Sequence, residues 1–82
     1  MYNIIYEVIT SWASGCDTGR ESALFKDYRS ARECFEERKA NIKSFESGYD
    51  SIDEDEDFYC EYENGWYNDY HNSVYIQEKE LN

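Results

Sequence analysis

The residues best suited to chemistry in this 82-residue sequence are five consecutive carboxylates at positions 53–57, the run DEDED. Its alternate aspartates match the opening ligands of an EF-hand calcium loop. The match then fails, because Phe58 stands where the loop needs glycine and Asn64 stands where it needs a bidentate glutamate. The run therefore predicts no more than loose binding of a divalent cation, and we expect no cofactor.

Three cysteines and one histidine are the other candidate ligands and nucleophiles. Cys16, Cys34, Cys60 and His71 are enough in number for a Cys₃His zinc site, but their spacings are long and unlike a zinc module. A cysteine–histidine pair is also the one candidate nucleophile system, and nothing in the spacing favours it. The chain lacks HExxH, GxSxG and a glycine-rich phosphate loop. We therefore expect neither a metal site nor enzymatic activity.

The negative charge is concentrated in the second half of the chain. Residues 1–41 carry seven acidic and six basic side chains, whereas residues 42–82 carry twelve acidic and two basic ones, for a net charge of −11. Aromatic residues interleave with the acids there. Such a segment attracts basic protein surfaces. Direct binding of nucleic acid is disfavoured, because stacking rings need a basic surface around them.

Length and composition predict one domain, residues 1–82. The N-terminus has no basic region and Glu7 interrupts the first apolar run, so we expect no signal peptide. No stretch approaches the ~18–20 apolar residues that a membrane span needs. An odd number of cysteines without a secretion signal favours reduced thiols and a cytoplasmic protein.

Apolar periodicity predicts a β-hairpin at the start of the chain. Residues 1–12 alternate, and both faces are partly apolar, which indicates an interior strand. Residues 13–19 (ASGCDTG) predict a turn, and residues 21–28 a second strand. One face of the first strand carries five residues: Ile4, Tyr6, Val8, Thr10 and Trp12.

One helix is predicted at about residues 31–47. Ser30 and Glu33 have the spacing of a capping box, and Gly48 is suited to end the helix in the left-handed conformation. A stripe at spacings of three and four is expected to face the sheet. The stripe consists of Ala31, Phe35, Arg38, Ile42 and Phe45.

The second half predicts short elements around turns, and the whole chain an α+β fold. The expected fold is a small antiparallel sheet of order β-β-α-β-β, with or without a fifth strand. The helix packs on one face of this sheet. The elements are an acidic connector at 50–57, a strand at 58–63, a type I′ turn at Asn64-Gly65, a return strand at 66–70, a turn at His71-Asn72 and a strand at 74–81.

Two interpretations of the acidic run stay open at this point. It can be a solvated loop that keeps a small protein soluble. If it is strand-like instead, Asp53, Asp55 and Asp57 project to one side at a spacing of ~6.6–6.8 Å. The phosphates of one DNA strand rise ~3.4 Å per nucleotide, so a rigid row of carboxylates can imitate them.

The small size, the acidic run at 53–57 and the acidic-aromatic tail from Asn64-Gly65-Trp66 to Lys79-Glu80-Leu81-Asn82 resemble small acidic inhibitors from phages and mobile elements. These include anti-CRISPR and anti-restriction proteins of the DNA-mimic type. The resemblance is one of type and covers residues 50–82. It implies an inhibitor, without turnover, that occupies the DNA-binding groove of a defence nuclease in the bacterial cytoplasm.

The expected partner is thus a basic nucleic-acid-binding protein, with a Cas effector or a restriction enzyme as the best candidate. The alternative is a small structural or assembly module that forms a homodimer through an edge strand, with the acids serving solubility. For the first hypothesis the partner-binding residues are Asp50, Asp53, Glu54, Asp55, Glu56, Asp57, Tyr59, Glu61, Tyr62, Glu63, Trp66, Tyr67, Asp69 and Tyr70.

Overall fold

The computed structural model describes residues 3–46, 48–65 and 70–81 and shows one antiparallel sheet with one helix. Its elements are β1 (Asn3–Ser14), β2 (Asp17–Phe25), α1 (Tyr28–Ser44), β3 (Ser51–Asp55), β4 (Phe58–Tyr62) and β5 (Tyr70–Leu81). The strand order is β2-β1-β5-β4-β3. The predicted α+β class is confirmed. Within the described residues, no helix is long and apolar enough to cross a membrane.

The first hairpin is tighter than the sequence predicted. β1 and β2 pair up to Ser14 and Asp17, so the expected loop at 13–19 shrinks to Gly15 and Cys16. Gly15 has a φ of 67°, which suits the first central position of a type II′ turn. β1 also pairs along its length with β5, as expected for an interior strand.

Helix α1 begins and ends earlier than predicted. Its N-cap is Asp27 rather than Ser30, because the Asp27 carboxylate accepts both the backbone N–H and the hydroxyl of Ser30, each at 2.9 Å. At the other end, the N–H of Phe45 donates to the carbonyl of Ile42 at 3.2 Å. The predicted stop at Gly48 is wrong, since α1 ends at Ser44, although Gly48 does have a φ of 78°.

The core lies between α1 and one face of the sheet. Phe35 is fully buried at its centre, in a cluster that also contains Val8 and Val74. Most of the predicted stripe faces this core, but Phe45 is 78 % exposed. It is the residue just after the last turn of α1, beyond the final buried contact at Ile42.

The connection from β4 to β5 differs from the predicted two-residue turn. Gly65 has a φ of 90°, but β5 does not begin until Tyr70, and the N–H of Glu63 donates to the Tyr70 carbonyl at 3.1 Å. His71 and Asn72, predicted as a turn, lie inside β5. They pair with both neighbouring strands, so no turn forms there. The predicted return strand at 66–70 falls, apart from Tyr70, outside the described residues.

Candidate acidic interface

The acidic segment forms an edge strand. Residues 50–57, expected as a connector, contain β3, which pairs with β4 and lies at the end of the sheet. Asp53 pairs with Cys60 and Asp55 with Phe58, so both carboxylates lie on the face away from α1. Glu54 lies on the helix side. The run is therefore held in the alternating strand geometry rather than in a loop.

Two acids of the run are engaged by the helix. The ammonium of Lys39 lies 2.6 Å from Glu54 Oε2, and Arg32 Nη1 lies 3.2 Å from Asp57 Oδ1. The hydroxyl of Tyr28 also donates to Asp57, and Arg32 donates to the carbonyl of Glu56. These contacts anchor both ends of the acidic segment to α1 and partly neutralise it.

Other predicted partner residues serve the fold. The Asp50 carboxylate accepts the backbone N–H of Asn64 at 2.8 Å. This hydrogen bond links the residue before β3 to the segment that follows β4. Tyr59 is 1 % exposed, and its hydroxyl donates to Glu61 Oε2 at 2.6 Å. Burial, followed by this hydrogen bond, raises the pKa of Tyr59. Tyr59 and Glu61 are therefore both buried in this structure.

Three exposed carboxylates at the edge lie outside the contacts with Lys39 and Arg32: Asp53, Asp55 and Glu56. We call these three residues the acidic edge. Among the described residues, none of the three forms an ion pair. Asp53 interacts with Tyr62, whose pKa is raised by burial and by this neighbouring carboxylate.

The remaining predicted partner residues divide into two groups. Tyr62 and Glu63 are half-buried, and Tyr70 is 38 % exposed at the start of β5. Trp66, Tyr67 and Asp69 lie outside the described residues. The sequence analysis missed Arg32 and Lys39, which lie two helical turns apart and hold the acidic segment; that spacing of two basic residues is the signal that could have found them.

The face away from α1 also brings together polar groups that the sequence did not connect. Ser11, Ser73 and Cys60 are in register across three neighbouring strands, and the two hydroxyl oxygens lie 2.7 Å apart. His71 Nε2 is 3.4 Å from Ser11 Oγ. The Cys60 thiol is fully buried, which makes it a poor nucleophile for an external substrate.

The cysteines lie on separate elements of the fold. Cys16 is in the first turn, Cys34 on α1 and Cys60 on β4. Over the ranges that the structure describes, no group of three or more histidine, cysteine or acidic residues is arranged to hold a metal ion. The Cys₃His arrangement considered from the sequence is therefore not assembled.

Comparison of the chain with protein-family models, with curated proteins and with solved structures found no match in any of the three.

Acid should weaken the contact between α1 and β3. The hydrogen bond from Lys39 lowers the pKa of Glu54 below its ordinary value of 4.5. A lowered folded-state pKa means that this stabilisation is present above pH 4.5 and is lost as the pH falls through the folded value. The unfolding free energy of the parent should therefore exceed that of Glu54→Gln at neutral pH, and the difference should shrink as the pH falls below 4.5.

Denaturant unfolding at several pH values measures this difference, and Glu56→Gln is the matched control. Each variant removes one negative charge, so the relief of general repulsion is common to the two variants and cancels when Glu54→Gln is compared with Glu56→Gln. Glu56→Gln should be as stable as the parent or more stable at neutral pH. A Glu54→Gln variant that matched Glu56→Gln throughout would show that the Lys39 contact contributes nothing.

Proposed function

We propose that this chain is a non-enzymatic binding protein that occupies the basic nucleic-acid-binding groove of a host defence nuclease, as a DNA-mimic inhibitor does. The observation that carries the proposal is the acidic edge: exposed carboxylates on and next to a hydrogen-bonded edge strand, outside the ion pairs of the described residues. The carboxylates that a partner would meet are thus already positioned before binding.

Strand geometry supports the phosphate analogy. Asp53 and Asp55 are two residues apart on one face of β3, a spacing of ~6.6–6.8 Å. The ~3.4 Å rise per nucleotide of one DNA strand is measured along the helix axis, and the winding of the backbone places neighbouring phosphates farther apart than this rise. The two carboxylates can therefore stand in for two neighbouring phosphates. Glu56 extends the charge beyond the end of the strand. Asp57, which the strand hypothesis placed in the same row, lies in the following turn and binds Arg32.

Anchoring by α1 explains how a strand so rich in acids stays in place. Lys39 and Arg32 compensate Glu54 and Asp57 and leave the outward carboxylates unneutralised. Less side-chain and backbone freedom is then lost when a partner binds. The net charge of −11 should also speed association with a basic surface and make it sensitive to salt.

The test is capture from nuclease-treated bacterial lysate at low and high salt. The bait is the tagged parent or the triple variant Asp53→Asn, Asp55→Asn, Glu56→Gln. We expect the parent to retain nucleic-acid-binding proteins and the triple variant to lose them. Loss should occur without unfolding, because these three side chains are exposed.

A matched variant separates position from total charge. Asp17, Glu37 and Glu46 are exposed carboxylates away from β3, and their conversion to amides removes the same charge. This control should capture the same proteins as the parent. Equal loss of captured proteins in both triple variants would show that binding depends on net charge alone. Equal capture by all three baits would contradict the proposal.

A second candidate function is a homodimeric assembly module. Within the part of the chain that the structure describes, α1 covers one face of the sheet and no helix covers the other. The two edge strands also expose apolar side chains, Leu24 at 61 % on β2 and Ile52 at 59 % on β3. Light scattering after size exclusion separates the two hypotheses. A dimer that does not depend on concentration and that persists in the triple variant Asp53→Asn, Asp55→Asn, Glu56→Gln favours the assembly module.

A further inference from the structure

We infer that the cavity between the C-terminal half of α1 and the sheet is a binding site for a neutral, planar heteroaromatic molecule of the purine nucleoside type. The cavity has a volume of about 650 Å³, which lies within the ~300–1,000 Å³ range of small-molecule sites. None of the three acidic-edge residues is among its described lining residues, and it plays no part in the function proposed above.

The cavity exists because Trp12 does not fill it. Trp12 points to the helix side of β1, but its ring lies over Gly19 on the neighbouring strand. A Cβ atom at Gly19 would fall 2.1 Å from Trp12 Cζ2, so only glycine leaves room for the ring there. The space beneath the last turns of α1 is therefore open, next to Ile42, where the packed core ends.

The lining combines π-faces with amide groups. The described lining includes three aromatic residues, Trp12, Phe45 and Tyr49, and two asparagines, Asn41 and Asn72. Rings stack on any planar base, and an asparagine amide can both donate to and accept from the edge of adenine. The Tyr49 hydroxyl lies 3.4 Å from the carbonyl of Ala13, which ties this wall to β1.

Charge determines which planar molecules the cavity favours. Among the described residues that line it, the charged side chain is Arg38, whose guanidinium donates to Glu21 Oε2 at 2.9 Å. A cationic ligand would meet this like-charged guanidinium inside the cavity. An anionic ligand is repelled by the net charge of −11. A neutral nucleoside carries no charge and is not repelled. The phosphate groups of a nucleotide or a nucleic-acid strand are repelled by the negative net charge.

The probe that tests the inference is adenosine, titrated to millimolar concentration into ¹⁵N-labelled full-length protein. We expect saturable shifts of the side-chain amide signals of Asn41 and Asn72 and of the Trp12 indole N–H. Adenosine 5′-monophosphate should bind more weakly at low salt and approach adenosine as salt screens the repulsion.

Three variants make the result decisive. Phe45→Ala removes a ring that is 78 % exposed, and Asn41→Ala removes an exposed amide, so neither endangers the fold. Each should raise the Kd for adenosine about tenfold. Glu37→Ala, on the same helix but outside the cavity, should leave the Kd unchanged. Absence of saturable shifts, equal binding by all variants, or tighter binding of the nucleotide at low salt would overturn the inference.

Discussion

Replacement of Phe35 by alanine should lower the free energy of unfolding by about 3–5 kcal/mol. Phe35 is fully buried and belongs to the one described cluster in which α1 meets the sheet. Arg32 and Lys39, the residues that hold the acidic segment, also lie over its ring at 5.1 and 5.8 Å. The substitution should thus leave a cavity in the core. It should also remove the ring on which the Arg32 and Lys39 side chains lie, and so weaken the ion pairs that both residues form with the acidic segment. A domain of this size has about 3–5 kcal/mol to lose, so the variant should be largely unfolded.

The matched control is Phe45→Ala in the turn that follows the same helix. Its side chain is 78 % exposed, so the change should stay within about 0.5 kcal/mol. Urea unfolding followed by circular dichroism measures both variants. Similar losses for Phe35→Ala and Phe45→Ala would mean that α1 does not pack on the sheet as described.

Replacement of Gly19 by alanine should destabilise the protein by about 1–3 kcal/mol through steric overlap alone. The new Cβ would lie 2.1 Å from Trp12 Cζ2 and within 3 Å of two further atoms of the same ring. Backbone strain contributes nothing, because Gly19 is not in the left-handed region. The indole must therefore move into the cavity beside it or push β2 away.

A double-mutant cycle tests this cause directly. In a Trp12→Leu background the overlap is removed, and Gly19→Ala should become neutral or slightly stabilising because glycine is a poor strand residue. Thermal or urea unfolding of the four proteins gives the coupling. An unchanged cost of Gly19→Ala in the Trp12→Leu background would show that the indole does not occupy this position.

The helix and the hairpin were predictable because their signals are local. The apolar spacing through Ala31, Phe35 and Ile42 has helical period and faces the core as expected. The start of the helix was misplaced because two capping residues compete within four positions. The charged carboxylate of Asp27 accepts hydrogen bonds from the backbone N–H and the hydroxyl of Ser30. Asp27 is therefore the N-cap, and the helix begins at Tyr28.

Strand β3 was not predictable from its own residues. Aspartate and glutamate have low strand propensity, and five in succession are typical of a solvated loop. The strand forms because β4 offers a pairing partner and because Lys39, about three turns into a helix distant in sequence, neutralises Glu54. Both contacts depend on the folded arrangement. For the same reason, the division of the acids into anchored and exposed groups could not be inferred from spacing.

Competition with DNA tests the central claim most directly. A nucleic-acid-binding protein captured by the parent is bound to labelled duplex DNA, and this chain is then added while DNA release is followed by fluorescence anisotropy. We expect the parent to displace the duplex completely and the Asp53→Asn, Asp55→Asn, Glu56→Gln variant to need at least about tenfold more protein. A ternary complex that holds the duplex and this chain together would contradict DNA mimicry.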